Sequence, residues 1–200
     1  MQKSNERKQN KIFSTLLLLS GFFIVPLLTL YLGTLTSLTL QNFTYLANQP
    51  ATKVSFTIWA IVSIITHFGL LYSIYTTLKI KSVSILPITF IILFISTVIP
   101  YPKGDSLLGF LHVVSGYLAF ILYNYALLQI YIQAYIIKPR LFRVILNIYL
   151  CMFGLCFVIF MIYGSINGLT EVIYCSVTVI LITFLKIAST CKTRGSDLTL

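Results

Sequence analysis

Long apolar runs separated by short polar breaks organise this chain. The runs cover about Ile12 to Leu32, Val54 to Leu78, Ile85 to Ile99, Leu107 to Ile137, Val144 to Tyr163 and Leu169 to Ala188. A helix that crosses the roughly 30 Å hydrocarbon core of a bilayer needs about 20 mostly apolar residues. Most of the runs meet that length. The third is short unless it begins near Val83 and reaches Pro100, and the fourth is long enough to tilt or project beyond the membrane. Apolar positions follow one another continuously instead of alternating, which argues against the strands of a membrane barrel. The pattern therefore predicts an all-α fold, a polytopic six-helix transmembrane bundle. Breakers mark its turns: Pro50, the segment from Pro100 to Ser106, Pro139, and the segment from Gly164 to Gly168. The longest break runs from Gly33 to Lys53, and Pro26 inside the first run predicts a kink there.

Composition agrees with the pattern. Of the 200 residues, 58% are hydrophobic and 9% charged, against about 25% charged in an ordinary soluble domain. A soluble globular enzyme and a disordered or disulfide-stapled chain are both excluded as classes. The formal net charge of +10 changes meaning once its carriers are placed. Six crossings put both termini on one side, and 12 of the 14 basic residues fall there, leaving Lys53 and Lys103 opposite. Cytoplasmic segments carry the Lys/Arg excess, so both termini are expected in the cytoplasm of a cell-membrane protein. The charges are scattered beside helix ends with no basic stripe, so they read as anchors at an anionic leaflet and not as a nucleic-acid surface. Residues 1–11 then form a basic tail, 12–188 a single transmembrane domain and 189–200 a second tail. The first run exceeds the usual core of a cleaved leader and is expected to remain as a span.

Ionisable residues inside membrane spans are functional suspects. His67, His112 and Glu171 qualify, and Asp105 stands just before the fourth run. His112, Asp105 and Glu171 share the outer edge, together with Tyr101 and with Asn42 and Tyr45 of the long break. A carboxylate beside an imidazole can orient it and raise its proton affinity, which suits a general base or recognition of a polar headgroup. The catalytic candidates are thus His112, Asp105 and Glu171, and the ligand-binding candidates Tyr101, Asn42 and Tyr45. A structural reading competes. Asp105 or Ser106 can cap the fourth helix and Thr170 the sixth, with Glu171 in its favourable first turn. Gly109, His112, Ser115, Gly116, Ala119 and Tyr123 also form a helix-packing stripe. His67 lies about 20 Å from the outer end of its span, near the middle. It is expected to bond another helix, and its depth mismatch with His112 argues against a shared haem. Four cysteines read as small core residues, no metal-ligand or phosphate-loop motif occurs, and no cofactor is expected. The triplet Asn42-Phe43-Thr44 matches a glycosylation acceptor.

Several outer-edge features occur together: the stretch from Ser37 to Leu46, Tyr101-Pro102 followed by Asp105, His112, and the segment from Gly168 to Glu171. With them the chain resembles the six-span membrane family catalogued as domain of unknown function 998 and, more loosely, the Frag1/DRAM/Sfk1 group. Two positions depart from that pattern: Tyr101 stands where the family usually has phenylalanine, and Val172 where it tends to have arginine. The resemblance implies a multi-pass membrane protein and supplies neither substrate nor mechanism. Three expectations follow. The first is an outer-leaflet polar pocket that binds or acts on a lipid or small hydrophobic ligand. The second is a transporter or transport partner using His67 and Asn124 near the midplane. The third is a non-catalytic scaffold or regulatory subunit.

Overall fold

The computed structural model describes residues 2–99, 101, 106–137 and 139–193. Every regular element among them is helical. Helix α1 (Gln2–Leu19) passes through a π turn (Ser20–Ile24) into α2 (Val25–Thr34). A short helix α3 (Phe43–Asn48) follows, then α4 (Lys53–Leu78), α5 (Ile85–Val98), α6 (Leu107–Ile137), α7 (Pro139–Tyr163) and α8 (Gly168–Thr193). Five stretches are long and apolar enough to cross a membrane: Lys11–Thr34, Lys53–Leu78, Leu107–Ile136, Phe142–Tyr163 and Gly168–Thr190. The sixth apolar run forms the shorter helix Ile85–Val98.

The π turn has a local cause. Pro26 has no N–H to donate one turn back, and the wider turn immediately before it absorbs the interruption, so the chain continues as helix to Thr34. Gly21 lies in that turn because of a close approach: a Cβ there would sit 2.1 Å from Thr183 Oγ1. The long break also holds structure its polar composition does not advertise, the single turn-and-a-half of α3.

Helix α4 is the centre of the bundle and packs against α2, α5, α6 and α8, while α5–α6, α6–α7 and α7–α8 are further neighbouring pairs. Its fully buried Leu70, Leu71, Ile74 and Tyr75 join Leu127 and Ile130 of α6 and Ile182 and Leu185 of α8 in the main core. Outward faces are equally apolar. Leu27, Ile65, Phe157, Met161 and Ile162 are all more than half exposed, an exterior of the kind that faces hydrocarbon. Hydroxyls on the helices turn back on their own backbone: Thr29 donates to Val25 O, Thr89 to Ile85 O and Thr183 to Val179 O. That pattern satisfies a polar group without water.

Contacts fix the register at which helices pass. Leu17 meets Gly69 and Ser20 bonds Thr66 at 2.6 Å, so α1 and α4 are antiparallel with Lys11 level with Tyr75. The Phe68 and Phe90 rings meet at 5.4 Å, which sets Ile64 of α4 level with Phe94 of α5.

Candidate functional site

At the end of the bundle away from Lys79 and Lys81, the long connection is tied to the start of α8. Gly168 N donates to Gln41 O at 2.6 Å and Leu169 N to Leu38 O at 2.9 Å. The Glu171 carboxylate accepts from Phe43 N at 2.5 Å. Phe43 is buried, its ring 5.1 Å from Trp59 of α4 in an edge-to-face contact. Trp59 Nε1 in turn donates to Thr29 Oγ1 at 2.8 Å. Glu171 is thus the polar pin of a small apolar cluster built from Leu32, Phe43 and Leu46, with Tyr45, Trp59 and Val172 packed against it.

The α8 cap differs from the sequence expectation. Asn167, not Thr170, supplies it: Asn167 Oδ1 accepts from Thr170 N at 3.1 Å and from Thr170 Oγ1 at 3.0 Å. Asn167 is buried, and its Nδ2 donates to Thr39 O at 3.4 Å. The signal was present as an asparagine three residues before a threonine at a helix start. Ser106 does cap α6, its Oγ accepting from Gly109 N at 3.0 Å.

His112 sits at the same end, since Ile99 lies level with Trp59 in the α4–α5 register. The His112 Nδ1–H donates to Ile99 O at 3.0 Å, joining the first turns of α6 to the end of α5. A carbonyl can only accept, so this bond assigns the proton to Nδ1 and leaves Nε2 of the neutral ring as an acceptor. The exposed Tyr101 ring lies 5.4 Å from the imidazole. No hydrogen bond or ion pair joins His112 to Glu171 among the described residues; the two are held on different neighbours. Asp105 lies outside the described residues. Asn42 caps α3 by accepting from Tyr45 N at 3.1 Å, and Tyr45 lies against the small cluster, so both are partly engaged in holding the connection. Gly116, read from sequence as part of a packing stripe, has open space where a Cβ would stand.

Deeper in the bundle, among the described residues His67 bonds its own helix and not another. Its Nδ1–H donates to Ser63 O at 2.8 Å, while the ring packs edge-on to Tyr123 of α6 at 5.7 Å. Asn124 forms a three-helix junction. Its Oδ1 accepts from the hydroxyls of Tyr149 on α7 and Tyr174 on α8, and its Nδ2 donates to Phe120 O at 2.7 Å. Near the lysine-rich end, Lys186 is buried and Nζ donates to Thr77 Oγ1 at 3.5 Å. The sequence alone placed this lysine among the solvated anchors. No cluster of three or more His, Cys, Asp or Glu side chains able to hold a metal ion occurs among the described residues.

Fold and exterior together define an all-helical protein with a membrane-type surface and a polar, aromatic edge at one end. Comparison with family models, with curated proteins and with solved structures finds no match to this chain.

Proposed function

We propose that the chain is a six-span integral membrane protein of the cell membrane, with both termini in the cytoplasm, that binds or acts on a lipid or small hydrophobic ligand at its outer edge. His112 is the group that engages the polar part of that ligand. The observation that carries this reading is the bond from His112 Nδ1–H to Ile99 O. It presents Nε2 as a base at the rim of the bundle, beside an exposed tyrosine ring. Glu171, committed to Phe43 N, holds the rim in place in this reading, and the resemblance to the six-span family is consistent with it. The transport alternative asks for helices broken at the midplane. Helix α4 runs unbroken through His67 and α6 through Asn124, and the π turn in the first span carries no ionisable side chain, so ligand binding is the reading favoured.

A sixth crossing through α5 is supported by its apolar outward face, where Ile88, Ile91 and Phe94 are all more than half exposed. Fourteen residues span only about 21 Å as helix, a mismatch that local thinning or the flanking residues can absorb. Reporters fused to each terminus test the topology. Six crossings give both signals on the cytoplasmic side, whereas five would separate them.

The ligand reading is tested by extracting the protein in mild detergent and identifying co-purified lipid by mass spectrometry. A species held by the unmodified chain and by Glu171→Gln should fall up to about tenfold in His112→Ala, the scale of one lost hydrogen bond. The same lipid complement in His112→Ala would reject the role of His112.

A further inference from the structure

A groove of about 840 Å³ opens between α1, α4 and α5, toward the opposite end of the bundle from His112. Its floor is α4 from Ile64 to Thr76, and its walls carry Phe13 and Leu17 on one side and Phe90 and Phe94 on the other. Twelve residues of helix measure about 18 Å, against about 15 Å for one leaflet of a 30 Å hydrocarbon core. The groove is therefore one acyl chain long.

Its polarity is graded along that length. Ile64, Ile65 and Phe94 line the deep end, while Ser14, Ser73 and Thr76 line the other. Just beyond those hydroxyls stand three exposed lysines, Lys11, Lys79 and Lys81. The α1–α4 register places Lys11 level with Tyr75, four residues before Lys79 at the end of α4, and Lys81 lies in the turn that follows Lys79. They arise from three different segments, the start of the first span, the αL residue that closes α4 and the turn before α5. A long apolar slot that ends at the Ser14 and Ser73 hydroxyls, with Thr76 Oγ1 turned back on its own helix and three lysines at the same end of the bundle, matches an acyl chain continued by an ester and a phosphate. Lysines near a membrane surface favour anionic lipid by roughly fivefold each.

We infer that the α1–α4–α5 groove is a binding site for one anionic glycerophospholipid, with an acyl chain along α4 and the phosphate among Lys11, Lys79 and Lys81. This site is separate from the His112 edge and does not depend on what that edge binds. The groove between α7 and α8, about 500 Å³ and lined by Ile148, Val177 and Phe184 among other apolar side chains, has no lining hydroxyls and serves as the internal comparison.

The test uses the full chain in phosphatidylcholine nanodiscs carrying a trace of phosphatidylglycerol or phosphatidylcholine, each with a diazirine near the acyl terminus. Labelled peptides are mapped after irradiation. Phosphatidylglycerol should label α4 near Ile64 or α5 near Phe94, and at least roughly fivefold more than phosphatidylcholine does. The triple variant Lys11→Gln, Lys79→Gln, Lys81→Gln, at exposed positions that leave the fold intact, should abolish that preference while residual labelling persists. Filling the slot with Ile65→Trp and Ile91→Trp should reduce labelling by both lipids. Equal labelling by the two lipids overturns the inference. So does a preference that survives the triple variant, labelling concentrated on α7 and α8, or a chain-to-chain crosslink showing a second copy seated in the groove.

Discussion

Glu171 illustrates what one carboxylate can do in an apolar bundle. Its oxygen accepts the backbone N–H of Phe43, 128 residues away in the chain, and so ties a surface connection to the last helix. Phe43 N has no intrahelical partner at the start of α3, and a buried donor left without an acceptor costs about 1–3 kcal/mol. Glu171→Ala should therefore lower thermal stability in detergent, measured by the loss of helical circular dichroism or by differential scanning fluorimetry. Glu171→Gln, which retains an acceptor oxygen, should lose less than half as much. Equal effects of the two substitutions would show that the Phe43 bond carries no stability. At this scale the sequence was readable only in part. That Glu171, His112 and Tyr101 belong to one end followed from their positions in the apolar runs. That Glu171 turns to Phe43 while His112 turns to Ile99 did not follow, because helix spacing sets depth and not the direction a side chain faces around the bundle.

At the scale of elements, contacts between helices are the informative feature. In lipid the apolar surface gives helices no strong reason to associate, so close packing and interhelical hydrogen bonds decide. The Asn124 junction is such a bond set, linking α6 to α7 and α8 through two tyrosine hydroxyls. Interhelical bonds in membranes average about 0.6 kcal/mol, so Tyr149→Phe and Tyr174→Phe should each destabilise by about that amount. Asn124→Leu should cost more than their sum, since it removes the one oxygen that accepts both bonds and strands two hydroxyls; a double-mutant cycle in a detergent unfolding assay reads the coupling. Close packing is exemplified by Gly21, whose Cβ position is already occupied by Thr183 Oγ1. Gly21→Val should separate α8 from the first span and destabilise by roughly 1–3 kcal/mol, as overpacked cores do. The runs Val54 to Leu78, Ile85 to Ile99 and Leu107 to Ile137 match helices almost residue for residue, because hydrophobic length is a local property. Helices α1, α7 and α8 instead extend past their runs to Gln2, Pro139 and Thr193, through polar residues that helix formation also admits. Helix α3 was missed because it is too short for a periodic signal; the Asn167 cap was legible as an asparagine three residues before Thr170, and only its further bond to Thr39 O depends on the tertiary structure.

For the whole molecule, one end of the bundle is polar and aromatic and the other is rich in lysine. That asymmetry underlies both the expected orientation in the membrane and the two lipid sites argued above. It also yields a topological expectation. A single cysteine introduced at Lys81 should react with an impermeant maleimide only after the cytoplasmic face is opened, and one at Tyr101 should react in intact cells. Reaction of both on the same side would remove α5 from the set of crossings and place the termini on opposite faces.

The sequence by itself determined the solvent of this protein and the approximate limits of its helices, because both depend on apolar content along short stretches of chain. It also determined which charges sit near which helix end. Only the tertiary structure decided which neighbours those residues meet. The Glu171–Phe43 pin, the Asn124 junction, the buried Lys186 and the groove between α1, α4 and α5 all depend on the rotation and register of packed helices. Those are set by many weak contacts between segments far apart in the chain, and no local pattern of apolar and polar residues encodes them.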